Sequence, residues 1–296
     1  MKDILASLSL IDGDGEKNPN KGQVCLHPAL IEKKEKKVCA LCKKSDNFKI
    51  PATLPFGYLF CGLSLTAEAI RHLRDLDLDK LLLRKKLHLV LDLDNTLIHA
   101  VEKSNNNVNV NVKKKNNNKK KNNNKKKKSS SSSNNDDVYN ILQGKTSVKL
   151  RPGVRDFLEK ASKLFDLSMY TMAKKDYAKE IVKVLESDSV RFSSVISNEY
   201  SAKDNTKSLN IVLSHQHVTL IVDDVADMWA PQDQRNVIKI QSYIFFQNGA
   251  APPDYDDDDQ ELARVWSILE NVHTNFFDNN QNNYASKDVR QLLRKN

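Results

Sequence analysis

Two apolar segments of the sequence, each ending in a pair of aspartates, constrain the fold more than any other feature. The run LHLVLDLD ends at Asp92 and Asp94, and the run VTLIVDD ends at Asp223 and Asp224. Continuous apolar runs of this length are typical of strands that are buried on both faces. A third strand, LFDLSMYT, ends at Thr171. Because ligands bind beyond the carboxyl ends of parallel strands, we expect these polar side chains to meet at one site.

Helical patterns lie between these strands. Thr66 and the apolar spacing that follows it predict a helix before the first strand. Pro152 and Gly153 open a second helix, and residues 174–186 form a third. Strands that alternate with helices of this length indicate an α/β fold with a parallel sheet flanked by helices. The sequence contains no apolar run long enough to span a bilayer, so we expect no membrane partner.

A tract of lysine, asparagine and serine interrupts the chain at residues 102–137. Its composition cannot bury enough apolar surface to offset chain entropy, so we expect this insert to be disordered. Residues 113–128 carry ten lysines and no acid, so the formal charge of +9 becomes −1 for the rest of the chain. A nearly neutral remainder argues against a protein that coats nucleic acid with its whole surface. We therefore expect no direct sequence-specific nucleic-acid binding.

Two interpretations of the insert stay open. Ten lysines within sixteen residues are typical of a nuclear localisation signal or of a weak contact with a polyanion. A low-complexity expansion that loops out of the domain explains the same composition. Residues 138–142 and 146–150 are predicted to form a hairpin by which the chain returns from the insert.

The aspartate pairs and their neighbours have the composition of a phosphoryl-transfer site. Where the chain turns at a strand end, one of Asp92 and Asp94 can attack as a nucleophile while the other protonates the leaving group. Clustered carboxylates repel one another unless a hard cation such as Mg²⁺ is present. Thr171 offers a hydroxyl and Lys207 a cation for phosphate oxygens. Each residue alone also has a structural explanation: a helix N-terminus for Asp-x-Asp, a strand position for Thr171 and a solvated surface for Lys207.

Four motifs in order, DLDNT, MYT, TKSL and IVDD, resemble those of the haloacid dehalogenase superfamily of phosphotransferases. The longer segments VKLRPGVRDFLEKASKLFDLSMYT and LIVDDVADMW are similar to the Fcp-type phosphatases of the RNA polymerase II C-terminal domain, and most of all to the plant C-terminal-domain-phosphatase-like proteins. The resemblance runs from about Cys25 to about Phe277, apart from the insert. It implies a haloacid-dehalogenase-like, Rossmann-like fold.

The resemblance also implies a role for each motif residue. Asp92 would attack the phosphorus of a phosphoserine and become an aspartyl phosphate, and Asp94 would protonate the leaving serine and later accept a proton from water. Thr96 would support the turn that carries the nucleophile, and Thr171 and Lys207 would bind the transferred phosphoryl group. The Mg²⁺ ligands would be the Asp92 side chain, the Asp94 backbone carbonyl and the side chains of Asp223 and Asp224.

The function that the resemblance implies is that of a nuclear, Mg²⁺-dependent protein serine phosphatase. Its partners would be the transcription machinery and the phosphorylated heptad repeats in the largest subunit of RNA polymerase II. A catalytically weak module that binds the phosphorylated tail is the alternative, because Asn198 replaces a family arginine that contacts the substrate phosphate. We also expect no BRCT domain, since about twenty residues follow Phe277. The length of the match argues against a small-molecule phosphatase.

A cluster of soft ligands lies near the N-terminus, in the pattern Cys25-x-His27-x11-Cys39-x2-Cys42. A Cys-x2-Cys pair is a common knuckle for tetrahedral zinc, and mixed Cys and His ligands are normal. These residues either hold a structural Zn²⁺ or form a reduced, metal-free loop. Plant Fcp-like proteins show a similar pattern before the catalytic domain, which favours zinc.

These features divide the chain into four predicted parts. They are a poorly ordered N-terminal segment at 1–20, a zinc-binding segment at 21–48, a helical lead-in at 49–85, and a phosphatase domain at 86–290 that contains the insert.

Overall fold

The computed structural model of the protein describes most of the chain outside the insert and the N-terminal segment. The described residues are 6–8, 29–33, 36–41, 53–103, 137–201, 204–247, 249–252, 258–278, 284 and 287–294. Within them no helix combines the length and the apolar character that a bilayer crossing requires. The predictions of disorder for residues 1–20 and for the insert fall almost wholly outside this part of the chain.

The described elements form three sheets and five α-helices. In chain order they are β1 (Ala29–Lys33), β2 (Lys36–Cys39), β3 (Thr53–Pro55), β4 (Leu63–Thr66), α1 (Ala67–Leu83), β5 (Leu87–Leu91), β6 (Ile98–Glu102), β7 (Val138–Ile141), β8 (Thr146–Leu150), α2 (Val154–Leu164), β9 (Phe165–Tyr170), α3 (Lys175–Leu185), β10 (Phe192–Ile196), β11 (Thr219–Asp223), β12 (Val237–Lys239), α4 (Glu261–Phe277) and α5 (Val289–Leu293).

A five-stranded parallel sheet with the order β10-β9-β5-β11-β12 forms the centre of the fold. The two strands that end in aspartates, β5 and β11, are direct neighbours, and β9 lies on the other side of β5. Every residue of β5 and β11 is buried. Burial on both faces explains why the two strands appear in the sequence as unbroken apolar runs, and it confirms the predicted parallel sheet.

Different parts of the chain cover the two faces of this sheet. Leu89 of β5 packs into the main hydrophobic core, which includes the buried sides of α2 and α4. Val90, the next residue, points to the opposite face and packs with Tyr170 and Trp229. His88 shares that second face, where it is buried.

An antiparallel sheet with the order β2-β1-β4-β3 joins the two N-terminal segments that the sequence analysis separates. Ala29 of β1 pairs with Leu65 of β4, and both side chains belong to one buried cluster. The described residues of the parts expected at 21–48 and 49–85 therefore share one sheet and one buried cluster. The expected helical lead-in also contains β3 and β4 before α1 begins.

Helix α1 connects this sheet to the centre of the fold. Thr66 caps its N-terminus by accepting a hydrogen bond from the Ala69 N–H at 3.2 Å, as the sequence predicts. Farther along, Arg74 Nη2 donates to the carbonyl oxygens of Leu209 at 2.6 Å and Val212 at 2.9 Å. These bonds hold the N-terminal sheet and helix against the loop that follows Lys207.

A third sheet with the order β6-β8-β7 lies beside the parallel sheet. Strands β7 and β8 pair from Val138 opposite Lys149 to Ile141 opposite Thr146, which confirms the predicted hairpin. Strand β6 follows the first aspartate motif and pairs with the other side of β8. The insert therefore leaves from the end of β6 and returns at the start of β7, with residues 104–136 outside the described chain.

Candidate active site

The turn after β5 places the first aspartate motif beyond the carboxyl end of the central strand of the parallel sheet. The Asp92 N–H donates to the backbone of β11 at 2.9 Å, which ties the ends of the two strands together. Asn95 has a φ of 61°, a left-handed conformation that asparagine adopts more readily than most residues. This conformation lets the chain reverse direction, and it brings Thr96 Oγ1 within 3.4 Å of Asp224 Oδ1.

Lys207 is the positive charge at the centre of the site. Its Nζ donates to Asp92 Oδ1 at 2.5 Å and to Asp223 Oδ2 at 2.7 Å, and its side chain is only 3% exposed. A short backbone bridge to Trp229 fixes the lysine in the chain, and Trp229 Nε1 donates to the same Asp223 oxygen at 2.8 Å. The lysine thus links the ends of β5 and β11.

Three buried carboxylates surround this ammonium group. Oxygen atoms of Asp92, Asp223 and Asp224 all lie within 4.8 Å of one another. Asp224 Oδ2 also accepts a hydrogen bond from Ser242 Oγ at 2.6 Å. One ammonium cannot balance three ionised carboxylates, so the cluster has the excess negative charge and the oxygen donors that suit a hard divalent cation.

Asp94 and Thr171 lie on the side of the site that faces α3. Asp94 Oδ1 accepts a hydrogen bond from Tyr177 Oη at 2.5 Å. Thr171 follows β9, is 1% exposed, and accepts a hydrogen bond from the Ala173 N–H at 3.0 Å. The Thr171 hydroxyl also hydrogen-bonds Asp94 and acts to lower the pKa of that carboxyl, so the two side chains lie next to each other in the site.

Burial dominates the electrostatics of the two candidate catalytic acids. It raises the pKa of Asp92 to about 7, although the charge of Lys207 acts in the opposite direction. Burial likewise raises the pKa of Asp94, against the hydrogen bond from Tyr177. For Lys207, burial favours the neutral form, but the two carboxylates outweigh it and the pKa stays above its ordinary value. A raised pKa suits Asp94 to general acid catalysis, because the carboxyl group gives up its proton less readily than an exposed aspartic acid.

The structure brings all seven candidate phosphatase residues together at the carboxyl ends of the parallel strands: Asp92, Asp94, Thr96, Thr171, Lys207, Asp223 and Asp224. Of the four candidate zinc ligands, Cys39 is buried at the end of β2. Cys25, His27 and Cys42 lie outside the described residues. Asn198 donates its N–H to the carbonyl oxygen of Ala173, so position 198 lies close to the chain that follows Thr171.

Four residues without a predicted role support the site, three by contacting its acids and a fourth by holding the turn of the first motif. Tyr177, Trp229 and Ser242 donate hydrogen bonds to aspartates 94, 223 and 224. The fourth, Arg151, is buried and donates from Nη1 to the Thr96 carbonyl oxygen at 3.0 Å and from Nε to Asp259 Oδ2 at 3.1 Å. The one sequence feature that could have indicated this role of Arg151 is its position between an apolar strand and a Pro-Gly turn.

Comparison with known proteins identifies related families. The family profile of the NLI interacting factor-like phosphatases matches residues 87–281. RNA polymerase II C-terminal domain phosphatase-like 4 of Arabidopsis thaliana is 29% identical over 293 residues, which cover 94% of this chain and 63% of the plant protein. A C-terminal domain phosphatase of RNA polymerase II from Schizosaccharomyces pombe is 30% identical over 71% of this chain and 29% of the yeast protein.

Solved structures show the same architecture. The structure of Fcp1, an essential RNA polymerase II CTD phosphatase, superposes with a TM-score of 0.56 and 23% identity over 75% of this chain and 73% of that one. The fold is therefore haloacid-dehalogenase-like, as predicted. The chain spans less than two thirds of the length of the plant relative and less than one third of the fission yeast relative.

Proposed function

The chain belongs to the NLI interacting factor-like phosphatase family, and on this basis we propose that it is a protein serine phosphatase acting on the RNA polymerase II C-terminal domain. The observation that carries the proposal is Lys207 between Asp92 and Asp223, with Asp224 completing the cluster. The names of the Arabidopsis and fission yeast relatives support the substrate. Action on this substrate would place the protein in the nucleus with the transcription machinery.

In the proposed first step, the Asp92 carboxylate attacks the phosphorus of a phosphoserine. A phosphorus–oxygen bond forms to Asp92, and the bond to the serine oxygen breaks. Asp94 gives its proton to the departing serine oxygen, a role that its raised pKa supports. Lys207 and the Thr171 hydroxyl hold oxygens of the transferred group, so that charge which develops on them is stabilised.

In the second step, water attacks the aspartyl phosphate. Asp94, now ionised, accepts a proton from that water, and inorganic phosphate leaves as the Asp92 carboxylate is restored. The hydrogen bond from Tyr177 holds Asp94 in one orientation through both steps. Thr96 keeps the turn in place through its contact with Asp224.

We also propose that the aspartate cluster binds Mg²⁺. Asp92 accepts a side-chain hydrogen bond from Lys207, and Asp224 accepts one from Ser242 and a longer one from Thr96, so both carboxylates accept fewer bonds than Asp223 and are the main proposed ligands. The backbone carbonyl of Asp94 is the further predicted ligand. Asp223 closes the cluster, and its two oxygens accept hydrogen bonds from Lys207, Trp229 and the backbone N–H of residue 225. When bound, the cation would neutralise repulsion between the nucleophile and the anionic substrate.

One observation favours the alternative, a module that binds the phosphorylated tail with little turnover. Asn198 is uncharged, so the site has one cation fewer than relatives that carry arginine at this position. The full set of catalytic residues, from Asp92 to Asp224, favours the enzyme.

A phosphopeptide assay tests the proposal. Peptides with one phosphoserine in a Ser/Pro-rich heptad should release inorganic phosphate in Mg²⁺, release none in excess EDTA, and regain the rate when Mg²⁺ is restored. Asp92→Asn should lower turnover by at least about 10³-fold, whereas the control Asp79→Asn, at an exposed position on α1, should not change it. Wild-type rates in chelator, or in Asp92→Asn, would refute the mechanism. Tight binding without phosphate release would support the alternative.

A further inference from the structure

A groove runs along the open edge of the parallel sheet, next to the candidate active site. Strand β10 is the edge strand, and among the described strands it pairs with β9 alone. The groove has a volume of about 250 Å³. It is lined by four residues of β10 (Phe192, Ser193, Ser194 and Val195) and by Tyr58, Lys175, Lys179, Ser197 and Tyr200.

Two lysines give the groove a positive charge. Lys175 and Lys179 lie four residues apart on α3, so their side chains project from the same face of the helix. Within the described chain neither ammonium group lies within 4.0 Å of a carboxylate. Lys175 Nζ instead donates to Tyr200 Oη at 3.3 Å and lies 5.9 Å from the centre of the tyrosine ring. An anionic ligand would therefore meet two ammonium groups that form no ion pair with a carboxylate of the described residues, although Glu199 also attracts Lys175.

Ser197 supplies a second, independent indication of a ligand. Ser197 is one of the residues that line the groove, it is 1% exposed, and its Oγ has no hydrogen-bond partner in the described structure. A buried hydroxyl without a partner carries an energetic cost, because it gives up hydrogen bonds to water and gains none in return. A ligand oxygen in the groove would remove this cost by accepting the hydroxyl hydrogen.

The groove begins one strand away from the phosphoryl site. Thr171 donates its N–H to the carbonyl oxygen of Ile196, and Ser197 is the next residue. A peptide whose phosphoserine lies at Thr171 and Lys207 could therefore continue along β10 at about 3.3 Å per residue. A volume of about 250 Å³ is smaller than the 300–1,000 Å³ of typical small-molecule sites, so it suits one phosphorylated side chain better than a cofactor.

The wall opposite β10 is fixed by close packing. Tyr200 lies against Gly57, where an added Cβ would be only 2.6 Å from Tyr200 Cε1. Its ring also contacts Tyr58 edge to face, with the centroids 5.9 Å apart. Residues that precede β4 and residues that follow β10 thus build the groove together, and packing within the protein holds this wall.

We propose that this groove binds a second phosphate on an extended, doubly phosphorylated peptide while the first phosphate occupies the catalytic site. Lys175 and Lys179 supply the charge, and Ser197 supplies a hydrogen bond. The inference rests on the proposed function, because it concerns the substrate of the same site. It implies that the enzyme prefers peptides that carry two phosphates at a fixed separation.

Matched peptides test the groove. One peptide carries a single phosphoserine, and a series carries a second phosphoserine placed about two to six residues away on either side. Wild-type protein should turn over one spacing about tenfold more efficiently, as kcat/KM, than the single phosphopeptide. Lys175→Met/Lys179→Met should remove that advantage and leave the single phosphopeptide within about twofold. The control Lys160→Met/Lys163→Met removes the same charge from the exposed face of α2 and should preserve the advantage.

Binding measurements separate failure of the groove from failure of the enzyme. The dissociation constants of the same peptides for Asp92→Asn do not require turnover, and they should show the same preference. Ser197→Ala should weaken binding of the preferred peptide by about threefold and leave the single phosphopeptide unchanged. Equal affinities for singly and doubly phosphorylated peptides would overturn the inference. Equal losses for both peptides in the lysine variant would do so as well, because they would show a general attraction instead of a second phosphate site.

Discussion

At the scale of single residues, Lys207 is the position where stability and catalysis depend on the same contacts. Two buried carboxylates accept hydrogen bonds from its ammonium group. If one partner of a buried ion pair is removed, the other charge is left without compensation, and this is the costly event. The same ammonium group is the proposed ligand of the substrate phosphate, so the phosphate competes for it with the carboxylates of Asp92 and Asp223.

Lys207→Met should therefore affect both properties. We expect a loss of roughly 3–5 kcal/mol in the free energy of unfolding without metal, and a fall in turnover of at least about 10²-fold. Mg²⁺ should recover part of the lost stability, because it neutralises the same carboxylates, but not the turnover. Thermal unfolding with and without Mg²⁺ and phosphopeptide assays measure the two effects. Lys239→Met, at an exposed position on β12, is the control; a stable and active Lys207→Met would contradict the assignment.

His88 makes stability depend on pH. Burial lowers its pKa from 6.5 to about 4, and neither ring nitrogen has a hydrogen-bond partner in the described structure. Below pH 6.5 the unfolded chain gains a proton that the folded chain does not bind until about pH 4. Stability should therefore fall as the pH falls through this window, by on the order of 3 kcal/mol in total.

His88→Leu tests this dependence, because leucine cannot take up the proton. Urea denaturation at pH 7 and pH 4.5 should show a loss of stability in the wild type that is about 2–3 kcal/mol larger than in the variant. Parallel curves for wild type and His88→Leu would show that His88 titrates normally.

At the scale of elements, the β6-β8-β7 sheet determines how short the insert can be. Strands β6 and β7 both run antiparallel to β8 and lie on opposite sides of it, so the connection between them must cross β8. Glu102 pairs with Thr146, whereas Val138 pairs with Lys149. The end of β6 and the start of β7 are therefore separated by two strand spacings across the sheet and by three residues along the strands, which together give a distance of about 14 Å.

A ten-residue Gly/Ser linker in place of residues 105–135 should therefore preserve the fold and leave phosphopeptide turnover within about twofold, because it can span this distance. It should even stabilise the protein by about 1 kcal/mol, since a shorter loop loses less entropy. Direct fusion of residue 103 to residue 137 is the contrasting variant, and it should unfold the small sheet. Circular dichroism and phosphate release report the outcomes; a collapse of activity with the ten-residue linker would show that the insert contributes to the site.

The elements of the phosphatase domain were predictable where burial imposes a strict pattern. Strands β5, β9 and β11 are apolar because both faces are covered, so their ends and the acids that follow were evident. Strands β1 to β4 were not predicted, since they are short and their pairing joins residues as far apart as Ala29 and Leu65. The donors to the acids were missed for a related reason: Tyr177 and Ser242 reach them only through the tertiary fold.

At the scale of the whole molecule, the N-terminal sheet and α1 support the catalytic centre instead of standing apart from it. Arg74 holds the carbonyl oxygens of the loop that follows Lys207, and Tyr58 Oη donates to the Ile211 carbonyl oxygen at 2.6 Å. Damage to the N-terminal sheet should therefore reach the position of Lys207. If the predicted zinc site orders the N-terminal sheet, loss of the metal should therefore also disturb the position of Lys207.

The zinc prediction remains to be tested. Leu41 donates its N–H to Cys39 Sγ at 3.3 Å, a contact within the Cys-x2-Cys pattern of the predicted site. Metal analysis of protein purified without chelator should find about one zinc per chain, lost in Cys39→Ser/Cys42→Ser together with part of the thermal stability. Cys61→Ser, at an exposed cysteine, should keep the metal. Protein that is free of zinc and fully stable would support the metal-free alternative.

The contact between Gly57 and Tyr200 restricts which residues can occur together at two positions that lie far apart in the sequence. A Cβ at position 57 would lie too close to the Tyr200 ring, so a residue larger than glycine at 57 requires the ring to shift or a smaller residue at 200. Among homologues, a residue larger than glycine at 57 should occur with a smaller residue at 200, and the two should covary. A chimaera that combines the N-terminal sheet of one homologue with the central domain of another should then fold poorly when it joins a larger residue at 57 to tyrosine at 200, whereas the reverse combination should fold well.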